Sequence, residues 1–221
     1  MSCNSIQGLA TGGLLLAATL AVAAPAEGGV TVLSTSMFST VTAPPAGPVS
    51  SLDDVEDFAS LTRSGSWGSI STTSTAQGYS FVASTSWAGT GEDPLVIEVE
   101  SALVFSASTS TNVSFVYEGI EGSTDAQAKL HLLDLEAVGG SGFVGPPLWT
   151  LSAGNVTVTI AANTSPRYAY LVGFSDTWST PSGSTSSGGL SVTFTEIPAP
   201  GAFAGLGAMG LLGASGRRRR G

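Results

Sequence analysis

The chain is poor in the residues that carry chemistry, with one cysteine and one histidine in 221 residues. A single thiol, Cys3, excludes an intrachain disulfide and any cysteine-built metal site. With His131 as the sole imidazole, a zinc centre lacks its ligands. Charge is scarce too, at 10% of residues, against roughly a quarter in ordinary globular proteins. Positive charge is scarcest: 7 basic residues stand against 16 acidic ones, for a net charge of -9. Arg217, Arg218, Arg219 and Arg220 form one run, leaving Arg63, Lys129 and Arg167 for everything before it. A body without clustered cations excludes a phosphate-tracking nucleic-acid surface. Walker-type phosphate binding needs a lysine after a glycine, and Lys129 follows Ala128. No G-x-S-x-G elbow presents a serine nucleophile.

Hydroxyls take the place of the missing charges, with 33 Ser and 24 Thr. Two uncharged stretches bracket the chain. Residues 9–24 read LATGGLLLAATLAVAA, sixteen residues that are short for a membrane span but suit the apolar core of a secretory signal. Small residues follow in the A-x-A pattern, as Ala21-Val22-Ala23 and Ala24-Pro25-Ala26, placing cleavage after Ala23 or Ala26. Residues 1–26 are therefore expected to be a signal peptide, although its first eight residues carry no Lys or Arg. At the other end, residues 197–216 are again uncharged. Pro198 and Pro200 do not fit a helix interior, so the helical part is expected at 201–216. At ~1.5 Å per residue it spans ~24 Å of a ~30 Å hydrocarbon core. The four arginines behind it should stay cytoplasmic and stop translocation.

This tail resembles the PEP-CTERM sorting signal of exported bacterial proteins, which joins a short Pro-Glu-Pro motif, a brief apolar helix and a terminal arginine cluster. The matching residues are Pro198-Ala199-Pro200, the stretch 201–216, and Arg217 to Arg220. Ala199 stands where the family has Glu, and this Pro-Ala-Pro form is similar to the planctomycete-like variant. The resemblance covers only about the last 25 residues. It implies a Sec-type export machinery, a signal peptidase and an exosortase-like enzyme as processing partners. It also implies transient anchoring in the inner membrane, then a place in the cell envelope or outside the cell. A plain tail anchor is the alternative, since it needs the same hydropathy and charge.

Between the ends, apolar and hydroxyl residues alternate with period two, as half-buried strands require. The clearest runs are 78–83, 95–106, 112–117, 126–135, 156–160, 168–174 and 190–197. Turn clusters at 89–94, 119–122, 139–147, 163–166 and 181–189 separate them. Short strands without βα alternation predict an all-β antiparallel β-sandwich, jelly-roll-like or Ig-like. Its core is expected from Val96, Val99, Leu103, Phe115, Tyr117, Leu130, Leu132, Val158, Tyr170, Val172 and Phe194. The domain plan is then signal peptide 1–26, N-terminal strand and Pro-rich linker 27–50, sandwich 51–196 and sorting tail 197–221. One stretch breaks the period: residues 51–61 carry Leu52, Val55, Phe58 and Ala59 at helical spacing, behind a Ser51 cap, and predict a short helix.

Candidate sites are few. Asp53, Asp54, Glu56 and Asp57 read as the solvated first turn of that helix, or as a Ca²⁺ site of hard oxygen ligands, though their spacing fits no EF-hand loop. Trp67, Trp87, Trp149 and Trp178 read as core, or as sugar-stacking faces of a carbohydrate-binding module. His131 shares a strand face with Lys129, opposite Leu130 and Leu132, and is expected on the wet side. Glu98 and Glu100, two apart on one face, are the only carboxylate pair suggesting hydrolysis. Asn112, Asn155 and Asn163 fit the N-glycosylation pattern, which Ser/Thr-rich strands generate freely. The expected function is a non-enzymatic, acidic, exopolysaccharide-associated or cell-surface protein. A sugar-binding module, with or without calcium, is the alternative.

Overall fold

The computed structural model describes residues 29–56, 59–89, 93–138, 142–152, 155–163 and 165–197. The expected signal helix and C-terminal transmembrane helix fall outside the described residues. So do the sorting motif Pro198-Ala199-Pro200, Arg217 to Arg220, and Asp57.

The described chain is all strand. In order these are β1 Val30–Thr42, β2 Pro48–Glu56, β3 Ser60–Gly65, β4 Gly68–Thr75, β5 Gly78–Trp87 and β6 Leu95–Ala107. There follow β7 Thr111–Glu118, β8 Gln127–Asp134, β9 Trp149–Thr150, β10 Val156–Ile160, β11 Tyr168–Thr180 and β12 Ser184–Glu196. They form two antiparallel sheets, which we call A, in the order β2-β1-β6-β11-β8-β9, and B, in the order β10-β7-β12-β5-β4-β3. From β5 to β8, and again from β10 to β12, each successive strand changes sheet. Neighbours in space are therefore mostly distant in sequence.

The two sheets pack face to face because each strand keeps one apolar side. β6 buries Leu95, Ile97, Val99, Leu103, Phe105 and Ala107 on one side and turns Val96, Glu98 and Glu100 to the other. Aromatic rings from opposite sheets meet across the gap: Phe81 on Phe174 at 4.8 Å between centroids, Phe105 on Phe194 at 4.7 Å, and Phe115 on Trp149 at 3.9 Å. Each such pair adds about 0.5–1.5 kcal/mol beyond the area it removes from water. Hydroxyls inside the sandwich are paired in turn. Tyr79 donates to Ser101 at 2.7 Å, Ser101 reaches Thr72 at 3.1 Å, and Thr85 and Thr180 are 3.1 Å apart. Pairing is what keeps these buried polar groups from destabilising the core.

The outer face of sheet B is built of hydroxyls. Register places Ser64, Ser69, Ser84 and Ser187 in one row, and Ser60, Thr73, Ser80 and Ser191 in another. Sheet A is different on its outer face. There Val104, Leu133, Ala169 and Leu171 form a second, smaller apolar cluster, with Leu33 and Phe143 packed on it.

Several expectations are corrected. The stretch 51–61 is not a helix: residues up to Glu56 lie in β2, paired residue for residue with β1 from Thr42↔Pro48 to Ser34↔Glu56. As a sheet edge exposed on both faces, β2 has no reason to alternate, and its apolar spacing mimics a helix. Val96 belongs to the outer face, while Tyr117, Leu132 and Val158 pack partly buried against the core. Residues 184–189, two thirds of the expected turn 181–189, are strand, since β12 begins at Ser184. The N-terminal strand expected within 27–50 is present as β1, an internal strand of sheet A between β2 and β6.

Candidate functional site

Three of the four tryptophans, Trp67, Trp149 and Trp178, are interior groups. Trp178 is 1% exposed, set edge-on to Phe81 at 6.5 Å, and its Nε1 donates to Thr85 Oγ1 at 3.4 Å. Trp149 lies flat on Phe115, and Trp67 is buried beside the β3–β4 turn. Trp87 is half-buried against the core, its Nε1 donating to the Asp93 carbonyl at 3.3 Å. The three buried rings have no open face on which a sugar could stack, and the structure does not bring the four together.

The acids of β2 do not converge. By register with Met37, Asp53 faces the core side, while Asp54 and Glu56 pair with Ser36 and Ser34 and face outward. Ser51 Oγ donates to Asp53 Oδ2 at 3.3 Å. Desolvation, then the Glu56 charge, push the Asp54 carboxyl above its ordinary value. Among the described residues no group of three or more His, Cys, Asp or Glu is placed to hold a metal ion. Glu98 and Glu100 share the outer face of sheet A, and Glu100 is pushed up by desolvation and by Glu98. Their register neighbours are Thr40, Phe38, Thr177 and Ser175.

His131 is not on a wet face. It does point away from the sandwich interior, yet Phe143 stacks on its ring at 4.3 Å and leaves it buried. Its Nδ1 has no hydrogen-bond partner, and desolvation, then Lys129, hold its pKa below the ordinary histidine value. Asn163 is a structural link: its Oδ1 accepts from the Ala107 amide at 2.8 Å, and its Nδ2 donates to the Tyr168 carbonyl at 2.8 Å.

The most unusual polar group lies where the sequence reading did not look. Asp176, on the inner side of β11, is 2% exposed. Its Oδ1 accepts from Ser123 Oγ and from the Thr177 amide, each at 2.7 Å. Its Oδ2 is buried without a hydrogen-bond partner. Burial pushes this carboxyl above the ordinary range, and Ser123, the Thr177 amide and the Tyr117 hydroxyl draw it only partway back. The Tyr117 hydroxyl beside it is raised as well, first by desolvation and then by the Asp176 charge. A carboxyl so enclosed can hold a proton and order the chain around it. The signal for it was there in the sequence, an acid at the core parity of a strand, two residues after Phe174 and two before Trp178.

Compared with known proteins, the chain matches no family model, no curated protein and no solved structure.

Proposed function

We propose that the chain is an exported, non-enzymatic surface or matrix protein, delivered outside by its N-terminal signal and sorted by its PEP-CTERM-like tail. The observation that carries this reading is where the two ends of the sandwich lie. Gly29 O accepts from the Ser108 amide at 2.6 Å, and the Ile197 amide donates to Ser110 O at 2.9 Å. Both ends thus leave the body at the turn between β6 and β7. A tail held in a membrane would tether the sandwich by one end and leave the rest standing outward. The longest strands have 13 residues, so that reach is ~43 Å at ~3.3 Å per residue.

Two further features support the reading. The hydroxyl rows of sheet B give a neutral, hydrated outer face suited to a polysaccharide-rich surrounding. Burial of Trp67, Trp149 and Trp178 favours a structural role over a sugar-stacking module. The alternating passage of the later strands between sheets favours a jelly-roll-like over an Ig-like arrangement.

Intact mass of the protein isolated from its native cells tests the proposal. The expected mass corresponds to a chain starting after Ala23 or Ala26 and ending near Pro198-Ala199-Pro200. A chain retaining both ends, through Gly221, rejects it.

A further inference from the structure

We infer that β2 is a self-pairing edge, through which two copies of this chain join sheet A to sheet A about a two-fold axis centred on Leu52. This inference does not depend on the export reading. β2 ends sheet A with no strand on its outer side among the described residues. It carries three exposed apolar side chains: Val49 at 58%, Leu52 at 62% and Val55 at 40%. An open strand edge with apolar side chains is a template for another strand.

The partner is identified by register. In a two-fold antiparallel pair, residues opposite each other must lie on the same face of the sheet. Val49, Ser51, Asp53 and Val55 share the core side, and Ser50, Leu52, Asp54 and Glu56 the outer side. Only registers centred on a residue are therefore allowed. Centring on Asp53 or Asp54 puts two carboxylates directly opposite, which is destabilising. Centring on Ser51 sets Asp53 against Val49 and Leu52 against Ser50. Centring on Leu52 sets Leu52 against Leu52, Val49 against Val55, Asp53 against Ser51 and Asp54 against Ser50. Val49, Leu52 and Val55 then each meet an apolar group, Asp53 and Asp54 each meet a hydroxyl donor, and at the ends Pro48 faces Glu56. The closest like charges are the two Asp53 side chains, on a diagonal ~7–8 Å apart.

The edge is also held in place before any partner arrives. Arg63, from the facing sheet, donates to Val49 O at 2.7 Å and to Ser39 O at 2.7 Å. Ser50 and Thr40 hydroxyls are linked at 2.9 Å. A strand already ordered loses less conformational freedom on pairing.

The test is disulfide trapping on the folded full-length chain in mild detergent, in a Cys3→Ser background. Leu52→Cys should cross-link to itself. Val49→Cys and Val55→Cys should each stay monomeric alone, because like positions are about 20 Å apart in this register, and should cross-link when mixed. In sedimentation, Leu52→Asp should weaken the dimer at least tenfold. A monomer at every concentration, or Val49→Cys linking to itself as readily as to Val55→Cys, overturns the inference.

Discussion

At the scale of single residues, Asp176 shows how far the period-two pattern could be followed. The alternation that buries Tyr170, Val172 and Phe174 also buries Asp176 and Trp178, provided the strand continues. It does continue, because β6 stays paired with it as far as Leu95↔Thr180. A reading that stopped the strand at Phe174 lost both residues, and left Trp178 open as a sugar-stacking face. The sign of the Asp176 effect follows from its raised pKa. The folded state holds this proton more tightly than the unfolded chain, so the contribution to stability grows as pH falls through the folded-state value. It is lost as pH rises. His131 acts in the opposite sense, since its lowered value makes the folded state resist protonation. The Asp176→Asn variant isolates the first effect. Its amide keeps the acceptor used by Ser123 and Thr177 and removes the titration. Stability at about pH 7 should stay within about 1 kcal/mol of the parent. Denaturation between about pH 7 and 4 should show less gain on acidification than the parent. A large loss at neutral pH with an unchanged pH slope would show that the carboxylate charge itself is needed.

Elements were legible wherever two conditions held: one face buried, and a hydroxyl or charge on the other. β5, β7 and β10 meet both and stand out in the sequence, whereas β8 and β11, apolar on part of both faces, stand out by their apolar runs. β2 fails the first, being exposed on both faces, and its Leu52 and Val55 fell at helical spacing by coincidence. β3 has one apolar residue, Leu61, and the buried side of β4 is Ile70, Thr72 and Ser74, so no apolar period marks them. The start of β12 was hidden for another reason. Its Gly188-Gly189 pair looks like a turn, whereas the glycines are there because other backbone passes close by. A Cβ on Gly188 would lie 2.5 Å from Gly119 O and 2.7 Å from Glu118 O, and its φ is +149°. Backbone atoms fixed in the neighbouring strand have little room to yield. Gly188→Ala should therefore destabilise by about 1–3 kcal/mol. Gly47→Ala, with nothing within 4 Å of the new methyl, should change stability by no more than about 0.5 kcal/mol. Urea midpoints with unchanged slopes would measure both. Equal midpoints for the two variants would contradict the close approach.

For the whole molecule, the sandwich class was legible from alternation, while the strand order was not, since it rests on pairings as distant in sequence as Gly78↔Thr193. The partial burial of the candidate sites was hidden for the same reason: Phe143 covers His131 only after the chain has folded back. What sequence alone carries at this scale is the tail. β12 ends at Glu196, so the sandwich is complete before Pro198. On the sorting reading proposed above, the two prolines Pro198 and Pro200 supply no backbone N–H, which would suit a segment that an enzyme must reach. On the same reading, the uncharged stretch 201–216 would reach only ~24 Å as a helix, short of a ~30 Å hydrocarbon core, and its glycines have low helix propensity. That proposal therefore assigns retention during processing to Arg217, Arg218, Arg219 and Arg220. An arginine costs about 2.5–3.5 kcal/mol at the bilayer centre, so under the proposal the run would keep the tail from being drawn through before cleavage. Replacing all four with serine removes that barrier and leaves the motif intact. The variant should escape cutting, and either accumulate with its tail or be released whole, as read by the mass of its C-terminal peptide in membrane and medium fractions. Normal cutting near Pro200 in the variant would show that the arginines do not time the reaction. A parent protein that keeps Gly221 and stays in the membrane fraction would make the tail a plain anchor.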